Sequence, residues 1–117
     1  MPLIADQTIF LADLCRLIGR ASQTFAVTEG EGERPQWVQD IYFEQGKSKA
    51  KMSQHSKRLA TDLHFYKLFS PSGEYQEITN IDELRPLGEY WKSLDPKNRW
   101  GGDFVSLHDP WHFERHV

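Results

Sequence analysis

The chain opens with a stretch in which apolar residues recur at three- and four-residue intervals. From Thr8 to Ala21 this spacing matches one face of an α-helix. Its members are Phe10, Leu11, Leu14, Cys15, Leu17, Ile18 and Ala21. The pattern predicts an amphipathic helix capped by Asp6 or Thr8, with its apolar side, including the Cys15 thiol, packed in the core.

Two further helices are predicted from similar patterns. One begins at Pro35, which suits a first helical turn, and ends at Gly46. Another begins near Asn80 or Ile81, and its first turns are expected to be irregular because of Pro86 and Gly88. The expected buried stripes are Trp37, Val38, Ile41 and Tyr42 in the first, and Leu84, Leu87, Tyr90, Trp91 and Leu94 in the second.

Alternation of apolar and polar residues predicts strands at residues 25–29 and 59–65. In the second strand Asp62 and His64 share one face, and Leu63 and Phe65 share the other. Short extended segments are expected at residues 104–107 and 111–116. We therefore predict one α+β domain over residues 1–117, with two to three helices packed against a small, mainly antiparallel sheet.

Charge and composition exclude several classes of protein. The formal net charge is −3, which argues against general affinity for nucleic acid. The single cysteine allows neither an intramolecular disulfide nor a Cys-rich zinc site. No apolar run approaches the ~18 residues of a membrane span, and the start lacks the pattern of a signal peptide. We expect a monomer made in the cytoplasm, without membrane insertion.

Basic residues are concentrated in one segment of the chain. Residues 45–61 contain five basic side chains and no acidic one. Two interpretations are open: a solvated loop, or an electropositive rim that attracts a substrate bearing carboxylates.

Two histidines and one aspartate form a candidate metal site. Catalytic zinc takes three protein ligands from His and carboxylate side chains and leaves a fourth position to water. His55, Asp62 and His112 provide such a set. On a continuous helix the Cα atoms of His55 and Asp62 would be about 10 Å apart, so we expect His55 on a loop and Asp62 on the strand that follows. The set predicts one Zn²⁺ ion and hydrolysis by activated water.

A group that transfers protons is expected beside this metal. Asp109, three residues before His112, is the candidate to receive a proton from water and return it to a leaving amine. In a regular strand Asp109 and His112 would point to opposite faces. Pro110 lacks an N–H donor and restricts the residue before it, so Asp109 is predicted to lie in a turn outside the strand.

At these motifs the sequence resembles the zinc D-alanyl-D-alanine carboxypeptidase and L-alanyl-D-glutamate peptidase family, which includes phage endolysins and shares its fold with the hedgehog signalling domain. Further similar segments are residues 33–35, 46–48 and 100–104, so the resemblance covers nearly the whole chain. It implies that Arg34 binds the substrate or the developing oxyanion, a task suited to a planar guanidinium. It also implies His55, Asp62 and His112 as ligands and Asp109 as the acid/base.

Two positions depart from the family pattern. Many members have Gly where Arg58 stands, and the carboxypeptidase branch commonly has Glu in place of Asp109. Aspartate at that position and the short chain are more similar to phage-type endopeptidases. The resemblance thus implies an enzyme that cleaves peptidoglycan stem peptides at the L-alanyl-D-glutamate bond and reaches the wall when the membrane is breached.

Other functions remain open on the sequence. A D-alanyl-D-alanine carboxypeptidase or dipeptidase would need a pocket closed around a terminal carboxylate. A non-catalytic zinc module of hedgehog-like fold would not need Asp109, and a glycosidase would use two carboxylates without a metal. His64, His108 and His116 receive no role from the sequence, although strand alternation places His64 on the Asp62 face.

Overall fold

A computed structural model describes residues 3–30, 32, 35–46, 54–69, 73–105 and 108–117. Three helices and five strands follow one another in these residues, with a short 3-10 helix before the last strand. In chain order they are α1 (Leu3–Ala21), β1 (Ala26–Glu29), α2 (Gln36–Glu44), β2 (Ala60–Phe69), β3 (Glu74–Glu77), α3 (Ile81–Leu94), β4 (Asn98–Trp100), the 3-10 helix Gly101–Asp103 and β5 (His112–Arg115).

Helix α1 packs one apolar face into the core, but it begins at Leu3, so Asp6 and Thr8 both lie inside the helix and the predicted cap is wrong. Phe10, Leu14 and Leu17 are buried on that face. The Cys15 side chain lies outside it and is exposed, so the prediction that the thiol belongs to the core is wrong. The three- and four-residue spacing includes Cys15 on the edge of the stripe, and only packing decides which edge residues are covered.

Helix α3 begins where the sequence predicts. The Asn80 side chain accepts a hydrogen bond from the Asp82 backbone N–H at 2.9 Å, which caps the first turn. The expected irregularity does not occur, since the helix is continuous through Pro86. Proline removes only one backbone hydrogen bond from the helix, while Leu84 and Trp91 are completely buried beside it.

The inward face of α2 differs from the predicted stripe. Trp37 and Ile41 are 67% and 42% exposed, whereas Gln39 is wholly buried. The predicted buried stripe is therefore wrong for Trp37 and Ile41, whereas its other two members, Val38 and Tyr42, are half-buried. Helical periodicity identifies which residues share a side, but it does not identify which side another element will cover.

The sheet places two of the candidate ligands directly opposite one another. Its antiparallel strands run in the order β1-β2-β5-β4, and β3 pairs with residues 66–69 at the C-terminal end of β2. In the β2–β5 register Asp62 is opposite His112. Residues opposite in an antiparallel pair point to the same face, so the two side chains meet there.

The opposite face of the sheet forms the core with α1 and α3. Leu63, Phe65 and Phe113 are almost fully excluded from solvent, which confirms the alternation predicted for this part of β2. The strand expected at residues 104–107 is wrong for Phe104 and Val105, which follow the 3-10 helix as irregular chain, and residues 106–107 lie outside the described range. Strands β3 and β4 were not predicted, because β3 is exposed at every residue and has no apolar face, and β4 has only three residues.

Two buried tryptophans connect the core to the segment that carries His112. The Trp91 indole N–H donates to the carbonyl oxygens of Arg99 and Glu114, at 3.0 and 3.1 Å. The Trp100 indole N–H donates to the Pro110 carbonyl at 2.9 Å. The turn before β5 is thus held by a side chain that is itself rigidly packed.

Among the described helices, none has the length and apolar character needed to cross a membrane.

Candidate metal centre

The three predicted ligands lie together at the junction of β2, β5 and the turn before β2. His55 Nε2 is 3.1 Å from His112 Nδ1 and 3.5 Å from Asp62 Oδ1. The distance between His112 Nδ1 and Asp62 Oδ1 is 3.2 Å. Ligand atoms about 2.0–2.1 Å from a tetrahedral zinc ion are separated by about 3.3 Å. The donor types and their spacing therefore fit zinc, and these residues could hold one ion.

A tight turn brings His55 back to the strand. The turn covers residues 54–58, and the Leu59 N–H closes it by donating to the Gln54 carbonyl at 2.8 Å. Arg58 has a φ of 59°, a left-handed conformation that favours glycine. This backbone geometry gives a physical reason for the glycine that the family resemblance implies at this position. His55 is only 3% exposed.

Hydrogen bonds to both histidines determine which ring nitrogen faces the ligand set. The His55 ring donates from Nδ1 to the Gly32 carbonyl at 2.7 Å, which leaves Nε2 for a metal. The His112 ring bonds through Nε2 to Glu114 Oε1 at 2.6 Å, which leaves Nδ1. Such bonds to the second nitrogen fix the tautomer and the ring orientation of metal-binding histidines.

The charges of this cluster support one another. Burial works against ionisation of Asp62, but hydrogen bonds from His112 and His55 outweigh it and hold the pKa of this carboxyl well below its usual range. Burial likewise works against the charged form of His112, but Asp62 and Glu114 raise the pKa of this imidazole to about 9. Asp62 is therefore ionised over the whole neutral range, ready to bind a cation.

Asp109 lies outside β5, in the turn that precedes it, as predicted from Pro110. Its carboxylate accepts a hydrogen bond from the Trp111 backbone N–H at 3.3 Å. Burial raises the pKa of Asp109, and the negative charge of Asp62 adds to the increase. A carboxyl with a raised pKa beside the ligand set is suited to both accepting and returning a proton.

Close packing of two backbones places this turn against the 3-10 helix. A Cβ atom on Gly101 would collide with the Asp109 carbonyl and would lie 2.8 Å from the His112 Cβ. The Asp109 N–H donates to the Gly101 carbonyl at 3.0 Å, and the Asp109 carbonyl accepts from the His112 N–H at 3.1 Å. Glycine at this position lets the turn approach closely enough to orient both candidate residues.

Sequence reasoning missed Glu114, which supports His112, and Phe104, whose ring centroid is 5.6 Å from that of His112. The sequence does contain a signal for Glu114: residues two apart share a face of a strand, so Glu114 lies on the same side as His112. Arg34, the expected substrate-binding or oxyanion-binding residue, lies outside the described residues, as do Lys47, Lys49 and Lys51 of the basic segment.

Comparisons with known proteins show the family and the fold of this chain. The family model described as D-alanyl-D-alanine carboxypeptidase matches residues 46–115, which include all three candidate ligands and Asp109. The crystal structure of the Serratia marcescens L-Ala D-Glu endopeptidase ChiX is similar, with a TM-score of 0.63 and 23% sequence identity, over 89% of this chain and 78% of that one. That likeness establishes the α+β fold. The comparison with curated proteins gives no match.

Proposed function

Because the chain belongs to the D-alanyl-D-alanine carboxypeptidase family, we propose that it is a zinc-dependent endopeptidase of peptidoglycan stem peptides. Peptidase activity follows from the family. What we propose in addition is that the enzyme uses zinc, that its substrate is peptidoglycan, and which peptide bond it cleaves. One observation carries it: two imidazoles and a carboxylate present donor atoms 3.1–3.5 Å apart, beside a fourth side chain suited to proton transfer.

His55, Asp62 and His112 would hold the ion. When bound, zinc supplies a Lewis acid that polarises a carbonyl and lowers the pKa of water to about 7. The chain's own contribution is orientation, since Gly32 and Glu114 fix the two rings. Asp109 is the proposed proton carrier, and the Trp111 N–H holds its carboxylate in place.

We propose the bond between L-alanine and D-glutamate as the point of cleavage. Support comes from Asp109, where the carboxypeptidase branch commonly has Glu, and from the fold shared with a solved endopeptidase of that specificity. The family description favours a second candidate, removal of a terminal D-alanine. Arg34 is proposed to bind the substrate or the developing oxyanion, as the family resemblance implies.

Digestion of purified peptidoglycan by the zinc-loaded protein tests this proposal. Mass spectrometry of the products should reveal new D-glutamyl amino termini, and a chelator should abolish them until zinc is restored. Asp62→Asn should neither bind zinc tightly nor cleave. Release of D-alanine or D-alanyl-D-alanine would replace the endopeptidase proposal by the carboxypeptidase or dipeptidase candidate. Full activity in chelator would refute the metal mechanism.

A further inference from the structure

A third histidine lies beside the candidate metal centre, and the mechanism above does not use it. His64 is two residues after Asp62 in β2, on the same face of the sheet. Two residues of strand span about 7 Å. The His64 side chain is 33% exposed, so it borders the solvent-facing side of the site.

Two neighbours hold the His64 ring in one orientation. Its Nδ1 bonds to Glu77 Oε2 of β3 at 2.7 Å. Its plane is stacked on the Trp111 ring, with centroids 6.0 Å apart and an interplanar angle of 25°. Because a carboxylate can only accept, Nδ1 carries the hydrogen and Nε2 is the nitrogen left for another partner.

The space around Nε2 depends on a missing side chain. A Cβ atom on Gly30 would lie 2.9 Å from His64 Nε2, closer than such atoms pack, and 3.1 Å from Cδ2, which is tighter than most such contacts. The φ of Gly30 is outside the left-handed region, so its backbone does not itself require glycine. The absence of a Cβ is therefore what leaves room for this edge of the imidazole.

We propose that His64 is a substrate-binding residue whose Nε2 accepts a hydrogen bond from a main-chain N–H of the stem peptide. The inference rests on the proposed function, since it places the scissile bond at the metal. An extended peptide advances about 3.3 Å per residue, so the recognised amide lies about two residues from that bond. Glu77 acts through His64 and is a positioning residue.

Peptide length provides the first test. The binding of a stem tetrapeptide and of an alanyl-glutamate dipeptide to zinc-loaded Asp109→Asn is measured by calorimetry, so that cleavage does not intervene. His64→Ala in this background should weaken tetrapeptide binding about tenfold, the effect of losing one hydrogen bond, and leave dipeptide binding unchanged. Lys67→Ala, on the opposite face of β2, is the control and should change neither.

Glu77 provides a second test with a closely matched control. Glu77→Gln should weaken tetrapeptide binding by a smaller factor, because the ring is less firmly oriented, and should have no effect once His64 is Ala. Glu74→Gln makes the same change in charge on the same strand, three residues away, and should leave binding unchanged. Equal effects of the two substitutions would show that only surface charge matters.

Gly30→Ala tests the geometry directly. The added methyl group should displace the His64 ring and weaken tetrapeptide binding while His64 is present, with no further loss in the His64→Ala background. Tetrapeptide binding that is independent of His64 would overturn the inference, as would equal losses for both peptides. Absence of cleavage by the wild-type protein, with His64-dependent binding retained, would refute the proposed function and leave the inference standing.

Discussion

Glu114 Oε1 lies 2.6 Å from His112 Nε2, on the side of the ring that faces away from the other two candidate ligands. Both residues are in β5 and are buried. The carboxylate therefore orients the imidazole and increases the basicity of Nδ1, as second partners of metal-binding histidines do. The strand's alternation alone brings this pair together.

Glu114→Gln should weaken zinc binding by about 10- to 100-fold while the fold is retained, because the amide still occupies the space but carries no charge. Competition with a chromophoric chelator measures the change. Glu83→Gln, on the exposed side of α3, is the matched control and should bind zinc as the wild type does. Equal affinities for all three proteins would contradict a supporting role for Glu114.

Asp109→Asn should reduce turnover by about 10²- to 10⁴-fold, the usual contribution of a general acid/base, without loss of zinc. The amide is almost the same size and can still accept a hydrogen bond from Trp111. Cleavage rates and zinc content are measured on the same sample. Asp103→Asn, in the 3-10 helix, serves as control. Near-normal turnover of Asp109→Asn would remove Asp109 from the mechanism.

Zinc binding should release at least one proton near pH 7, since histidine must be unprotonated to bind a metal. Neighbouring carboxylates raise the pKa of His112 from 6.5 to about 9 in the metal-free protein, so its ring is charged at pH 7. Affinity should rise with pH and level off above pH 9. Calorimetry in buffers of different ionisation enthalpy measures the proton count, and a heat independent of the buffer would contradict it.

The same shift affects the stability of the metal-free protein. A group whose pKa is higher in the folded than in the unfolded protein stabilises the fold. Its full contribution to the free energy of unfolding is present below the unfolded-state pKa and is lost as pH rises through the folded-state pKa. For His112 the contribution is complete below pH 6.5 and disappears as pH approaches 9. Denaturant titrations with chelator present should show this decline, and Glu114→Gln should reduce it.

Two glycines in helices should respond to the same substitution with opposite signs. Gly19 in α1 has open space around it, whereas a Cβ on Gly88 in α3 would collide with the buried Trp100 ring. Gly19→Ala should stabilise the protein by about 0.5–1 kcal/mol. Gly88→Ala should destabilise it by about 1–3 kcal/mol, because the rigid core must shift. Urea denaturation of both variants measures the difference, and equal effects would contradict the packing argument.

Long periodic segments could be interpreted from the sequence without the structure. The α+β class, the end of α1 at Ala21, the Asn80 cap and the alternation around Leu63 all follow from local patterns. The exposed face of α2 and the exposed Cys15 thiol did not follow. Local periodicity determines which side chains share a side, whereas burial depends on what packs against that side.

For the candidate site, the sequence by itself determined that histidine and aspartate side chains are the candidate metal ligands. It also determined that Asp109 lies in a turn before β5. Only the tertiary structure decided that Asp62 stands opposite His112 and that Glu77 and Trp111 hold His64. These pairings join residues from different strands and turns. Their geometry depends on strand register and backbone approach, which no local stretch of residues encodes alone.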